Sequence, residues 1–327
     1  MREMRDTEWF AAKKWGIDVG LLRFFDRMSY PTDMQPLSVE EVVTGFDIDR
    51  FVKDTVELGA GYVIFPLNQQ SRFYMSPNET YNKMMGYKPG EAAPVTDIIP
   101  KLSDALAEHG IELIIYFALD GPTTDFIGRD LIKTVVCGDP YPNYYDILGK
   151  PFEGVSMHTA KMNADIVREY SLRWKDKVKA WWLDGAYYNI GYTDDKLEVI
   201  ANACREGNPQ ALVSCNIVGL ADEYAAMIDR VQPGASCDDF TFGEQWNFSD
   251  IPEAAFLGHC RWHVWSWFDS TLQMMDENFQ KIEYTPEYIS DYVKKVNERG
   301  GVVSFSVKTE MDGRIDERDK NLLGLLK

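Results

Sequence analysis

Eight short apolar runs, most followed by a stretch of helical periodicity, constrain this chain more than any single motif does. They are Gly16–Leu22, Gly61–Leu67, Glu112–Ala118, Val178–Asp184, Ala211–Asn216, Asp239–Glu244, Arg261–Trp267 and Val302–Val307. A strand with one wet face alternates polar and apolar residues, whereas a strand covered on both faces reads as a nearly solid apolar run. Most of the eight read the second way. The sixth, Asp-Phe-Thr-Phe-Gly-Glu, alternates and carries the weakest strand signal.

Helical signals fall between the runs. Asp47 can cap a helix through Phe51, Val52, Val56 and Leu58 that stops at Gly59, and Thr96 opens one through Ile98, Ile99, Leu102 and Leu106 that ends at Gly110. Thr159–Lys175 is a longer amphipathic stretch, Thr193 caps a helix ending at Gly207, and Thr285-Pro286 starts one ending at Gly300. A side-chain oxygen before the first turn and a glycine after the last satisfy the backbone groups that helix ends leave unpaired. The alternation predicts a (β/α)8 TIM barrel, read as one domain over residues 1–327. Loops 68–95 and 119–157 are expected to cover the C-terminal ends of the strands.

Composition narrows the partners. With 52 acidic against 34 basic residues the net charge is −18, and no cationic block stands out. Phosphate contacts need clustered cations, so neither nucleic acid nor an anionic membrane is an expected partner. The five cysteines include no Cys-x-x-Cys pair, which argues against both a disulfide framework and a cysteine-rich zinc site. The charged stretch Met1–Lys14 lacks the apolar core of a secretory signal, and no apolar run is long enough to span a bilayer. A cytoplasmic protein is the simplest expectation, with a trimmed secreted chain and self-association both left open.

In a parallel barrel the chemistry sits where strands meet their following loops. The run Val178-Lys-Ala-Trp-Trp-Leu-Asp-Gly-Ala-Tyr-Tyr188 delivers Asp184 there among Trp181, Trp182, Tyr187 and Tyr188, although Asp-Gly is also an ordinary turn signal. Other strand ends offer Asn68, Gln69 and Gln70, Asp120, Asn216, Glu244 with Trp246, and His263 from the seventh run. Glycoside hydrolysis needs two carboxyl groups, one ionised and one holding a proton. Asp184 and Glu244 are the expected catalytic pair, with Asp120 and Asp269 as rivals; Glu244 can equally be read as a solvated loop residue. The aromatic and amide residues suit a sugar or oligosaccharide ligand, in which flat rings cover C–H faces and amides read hydroxyls. Trp182 and Trp246 are expected as stacking walls, and Asn68, Gln69, Gln70, Asp120, Tyr188, Asn216 and His263 as further contacts. Packing would account equally well for about half of the tryptophans. Arg72 or Arg261 could pair with a carboxylate. Neither a metal nor an organic cofactor is required, and no Gly-x-Ser-x-Gly elbow, His-Glu-x-x-His pair or P-loop is present.

Several segments resemble the barrel of the α-L-fucosidases, glycoside hydrolase family 29. Phe46-Asp-Ile-Asp-Arg-Phe-Val-Lys-Asp54 with Leu58-Gly-Ala-Gly-Tyr-Val-Ile64 is similar to that family's first helix and second strand. Gly300–Ile315 is similar to its last strand and following turn, and Trp181-Trp-Leu-Asp-Gly185 to the segment bearing its aspartate nucleophile. The resemblance implies a hydrolase removing a terminal fucose or a related sugar, with Asp184 as nucleophile. Three departures stand out. Gly20-Leu21 replaces the family's His-Trp after strand one, Gln69-Gln70 replaces its His-His pair after strand two, and the usual C-terminal β-sandwich is missing. A barrel that binds carbohydrate without cleaving it is the alternative. An isomerase or aldolase is a third reading, for which no Schiff-base lysine or phosphate-binding glycine loop is evident.

Overall fold

Seven of the eight runs hold strands of one curled, parallel sheet. The computed structural model describes residues 5–20, 37–69, 72–119, 155–218, 230–245, 247–268 and 283–327. The strands are β1 (Trp15–Val19), β2 (Tyr62–Pro66), β3 (Glu112–Ala118), β4 (Ala180–Asp184), β5 (Leu212–Cys215), β8 (His263–Trp267) and β9 (Val302–Val307), in the order β5-β4-β3-β2-β1-β9-β8. The seventh run is split. Its first residue, Arg261, belongs to β7 (Cys260–Arg261), which pairs antiparallel with β6 (Phe256–Leu257), and only His263–Trp267 joins the sheet.

The sixth run forms bridges rather than a ladder, for an identifiable reason. Asp239 N–H bonds to the Val213 carbonyl on β5, and residues 241–245 bond to the backbone of Arg261 and Trp265. Two side chains take the place of ladder bonds. The Asp239 carboxylate accepts from Val213 N–H at 3.0 Å, while the Thr241 hydroxyl accepts from His263 N–H and donates to the His263 carbonyl. Gly243 then adopts a φ of +78°, and a Cβ there would lie 2.2 Å from the His263 carbonyl oxygen. Only glycine fits both the left-handed backbone and the close approach.

Helix ends follow the capping chemistry with three adjustments, the first being that the Thr193 hydroxyl donates to Asp195 and makes no cap bond to helix Asp194–Arg205. Helix Ile48–Leu58 runs from Asp47, which accepts from Arg50 N–H, to Gly59 in the left-handed conformation. Thr285 caps Pro286–Glu298 by accepting from Tyr288 N–H. Thr96 is no cap, because its hydroxyl donates to Glu40; Asp97 accepts from Ile99 N–H at the start of Ile99–Ala107. Helix Met157–Trp174 starts from Ser156, not Thr159. Residues 74–81 also depart from expectation: instead of covering the strand ends they pack outward against this helix, with Asn78 donating to Ile166 and Glu169 accepting from Glu79 and Thr80. Among the described residues no helix is long and apolar enough to cross a membrane.

Successive strand residues point to opposite faces, and the inner face fills in layers. Lowest are Tyr62, Phe240, His263 and Ser304, closed from below by Phe10 of helix Glu8–Lys13, whose ring lies 4.8–5.5 Å from the first three. Gly16 lets the Tyr62 ring cross this layer, since a Cβ there would meet it at 2.4 Å. Trp182, Phe242 and Trp265 form the middle layer. Above them stand Asp184, Asn216 and Glu244.

Candidate active site

The upper layer is organised by one amide. Asp184, the last residue of β4, and Glu244, bridged to β8 at Trp265, both receive hydrogen bonds from Asn216 Nδ2, at 3.0 Å to Asp184 Oδ1 and 2.7 Å to Glu244 Oε2. Asn216 follows β5 directly, is nearly inaccessible, and is pinned by its own N–H to the Leu183 carbonyl. An NH2 group has two hydrogens, so one residue can hold both carboxyl groups at fixed spacing.

The two carboxyls sit in different surroundings. Asp184 only accepts: Oδ1 takes Gly185 N–H, Tyr187 hydroxyl and Asn216, and Oδ2 takes the Tyr116 hydroxyl at 2.7 Å. Glu244 accepts from the Asn216 amide and packs beside Phe242 and Gly243. Burial, reinforced by the negative charge of Asp184, pushes its pKa up to about 8, against the opposing pull of the Asn216 bond. Glu244 therefore holds a proton at neutral pH.

A third acid escaped the sequence reading. Asp18 on β1 faces inward, accepts from Trp265 Nε1 at 3.1 Å, and is raised to about 7 by burial and, more weakly, by Asp184. A charged residue inside Trp15-Gly-Ile-Asp-Val19, otherwise buried and apolar, was the available signal.

Several expected contacts are placed elsewhere. Asn68 is fully buried and clasps β3, donating to the Ala118 carbonyl and accepting its N–H, both at 2.8 Å. Trp182 has no open face: it is 1% exposed, stacked on Phe242 at 4.0 Å, and donates to the Phe242 carbonyl. His263 lies two layers down at 0% exposure, bonded to the Thr241 and Phe242 carbonyls and to Ser304 Oγ, and burial lowers its pKa to about 4. It is a neutral core imidazole. Tyr188 turns outward, donating to Asp194, and Tyr187 reaches Asp184 instead. Arg261 does pair with a carboxylate, but with that of Glu8 at the opposite end of the strands, while Arg72 lies over the Phe73 ring. Gln69 is half-buried at the end of β2. Gln70, Asp120, Trp246 and Asp269 lie outside the described residues.

Beside Glu244 lies a narrow cleft lined by Asn216, Ile217, Val218, Gln232, Pro233 and Phe242, among others. Among the described residues no lysine or arginine lines it.

Neither a family model nor a curated protein matches the sequence. Solved structures match its fold. The endo-fucoidan hydrolase P5AFcnA of glycoside hydrolase family 107 superimposes with a TM-score of 0.67 at 15% identity, over 99% of this chain and 93% of that one. MfFcnA4, an endo-fucoidan hydrolase of the same family, gives 0.63 at 15% over 97% of this chain and 53% of its own, so this chain spans about half its length. The α-L-fucosidase AlfC from Lactobacillus casei, in complex with its α-L-fucose product, gives 0.60 at 17% over 97% and 96%. The chain thus shares the fold of glycoside hydrolases that include endo-fucoidan hydrolases and an α-L-fucosidase.

Proposed function

We propose that this chain is a retaining, exo-acting glycoside hydrolase that releases a terminal fucose or a related sugar, as the resemblance to family 29 implies. The observation that carries the reading is the Asn216 bridge between an acceptor-only carboxylate and a carboxyl that keeps its proton. Asp184 attacks the anomeric carbon through Oδ2, which has one donor among the described residues against three on Oδ1. Glu244 gives its proton to the glycosidic oxygen, and the aglycone leaves as an alcohol toward the neighbouring cleft. Water then hydrolyses the Asp184 ester and returns a proton to Glu244. The two Asn216 bonds limit the gap between the nearest carboxyl oxygens to the sum of their lengths, below the ~6.5–9.5 Å separation of inverting pairs. Gln69, Gln70, Asp120 and Trp246 are the proposed rim contacts to sugar hydroxyls and faces. Closure of the sheet into a barrel through residues 239–245 is supported by their backbone bonds to both β5 and Arg261–Trp265.

The test is a panel of aryl glycosides of fucose, galactose and arabinose. Asp184→Asn should lower turnover by roughly 10³-fold or more, and azide should restore aglycone release to Glu244→Gln. Full activity of Asp184→Asn on a verified substrate would exclude the mechanism. Calorimetric binding of the free sugars without release of aglycone from any arm would replace it with a carbohydrate-binding role.

A further inference from the structure

Cys215 ends β5 immediately before Asn216, so strand alternation turns its side chain to the opposite face of the sheet. There Cys215 Sγ stands 3.8 Å from Cys237 Sγ, and Cys237 Sγ stands 3.7 Å from Asp238 Oδ1. The ligand atoms of all three residues lie within 4.8 Å of one another, and all three residues are buried. Neither helix capping nor the proposed hydrolysis uses this trio.

Two features distinguish it from thiols packed together by chance. Two thiolates held at ~2.3 Å by one tetrahedral cation stand about 3.8 Å apart, the spacing already present. The Asp238 carboxylate is oriented from behind: Oδ2 accepts from Ala235 N–H at 2.8 Å while Oδ1 faces the thiol, the outer-shell arrangement that fixes a carboxylate ligand.

We propose that Cys215, Cys237 and Asp238 form a buried binding site for a thiophilic divalent cation of the Zn2+ type. Binding breaks two S–H bonds, forms two metal–sulfur bonds and releases two protons to solvent, with no change of oxidation state. The site goes beyond the hydrolysis proposed above and does not depend on it. Because Cys215 adjoins the residue that bridges the two carboxyls, an occupied site would stiffen that end of β5.

The experiment is a titration of the chelator-treated full chain with Co2+, followed by displacement with Zn2+. One equivalent of Co2+ should produce visible bands of tetrahedral ligation and a thiolate charge-transfer band, both removed by Zn2+, and unbuffered wild-type protein should release close to two protons per Zn2+. Cys215→Ala and Cys237→Ala should each abolish the charge-transfer band. Asp238→Asn should weaken binding at least tenfold, and Cys204→Ala, which alters a buried thiol outside the trio, should leave it unchanged. A wild-type protein that gives no thiolate band at one equivalent, or releases no protons, overturns the proposal whether or not the variants fold. So does a band that survives in both cysteine variants.

Discussion

Replacing Asp184 by asparagine should loosen the proton on Glu244. Burial is the larger cause of the rise to about 8, and the negative charge of Asp184 is the next. The shared Asn216 bonds imply a separation of roughly 5 Å; there, at an effective dielectric near 20, two unit charges repel by about 3 kcal/mol, around a hundredfold in proton affinity. That figure is a ceiling, because both side chains are half-buried and water screens part of the repulsion. The substituted amide would keep the shape of the site and remove only the charge, so the Glu244 midpoint should fall below its wild-type value while burial still holds it above an ordinary glutamate. Removing Asn216 should act in the opposite direction. Its N–H favours the Glu244 anion, so Asn216→Ala should raise the midpoint. Carbon-13 NMR of glutamate-labelled protein, titrated across neutral pH, reads both shifts directly and needs no substrate. An unchanged midpoint in Asp184→Asn, or a lower one in Asn216→Ala, would refute the electrostatic account of the pair.

Asp18 binds its proton more tightly in the folded chain, at about 7 against 3.8, so its contribution to stability is full below 3.8, declines across that window and is lost above it. Asp18→Asn should flatten this part of the pH dependence and raise stability at pH 8 relative to pH 5, by at most about 3 kcal/mol in urea denaturation; an unchanged slope would contradict the burial argument. Trp182→Ala should cost ~3–5 kcal/mol by opening a cavity against Phe242 and Trp265, measured the same way. Gly243→Ala meets both a positive φ and the His263 carbonyl and should cost about 2 kcal/mol or more, whereas Gly90→Ala, with a similar φ of +88° and open space around it, should cost about 1 kcal/mol. Equal thermal shifts for the two glycine variants would remove the steric part of that explanation.

The sequence was most legible where a strand is covered on both faces and bonded through its backbone alone. Glu112–Ala118 and Val302–Val307 occupy the same residues as their apolar runs. Residues 239–245 were harder to read because side chains of Asp239 and Thr241 supply bonds that a regular ladder takes from the main chain. Within the site, periodicity located strand ends but not depth. His263 and Trp182 stand on the inward face as expected, yet both are buried beneath other side chains, and nothing in their local pattern distinguishes one layer from the next. Tyr187 and Tyr188 are adjacent, and a short turn after Asp184 decides which hydroxyl points inward. Asn68 illustrates a related ambiguity: an amide at a strand end suits a sugar hydroxyl and a neighbouring backbone equally well, and here it bonds the Ala118 backbone.

The two acids ride on unlike supports. Asp184 and Asn216 belong to strands laddered through their backbones, whereas Glu244 sits on a segment positioned in part by the Asp239 and Thr241 side chains and by the left-handed Gly243. Substitutions at Thr241 or Phe242 should therefore reset the spacing of the two carboxyls with less change on the aspartate side than on the glutamate side. A homologous chain could change the size of the group it grips there without rebuilding the rest of the sheet.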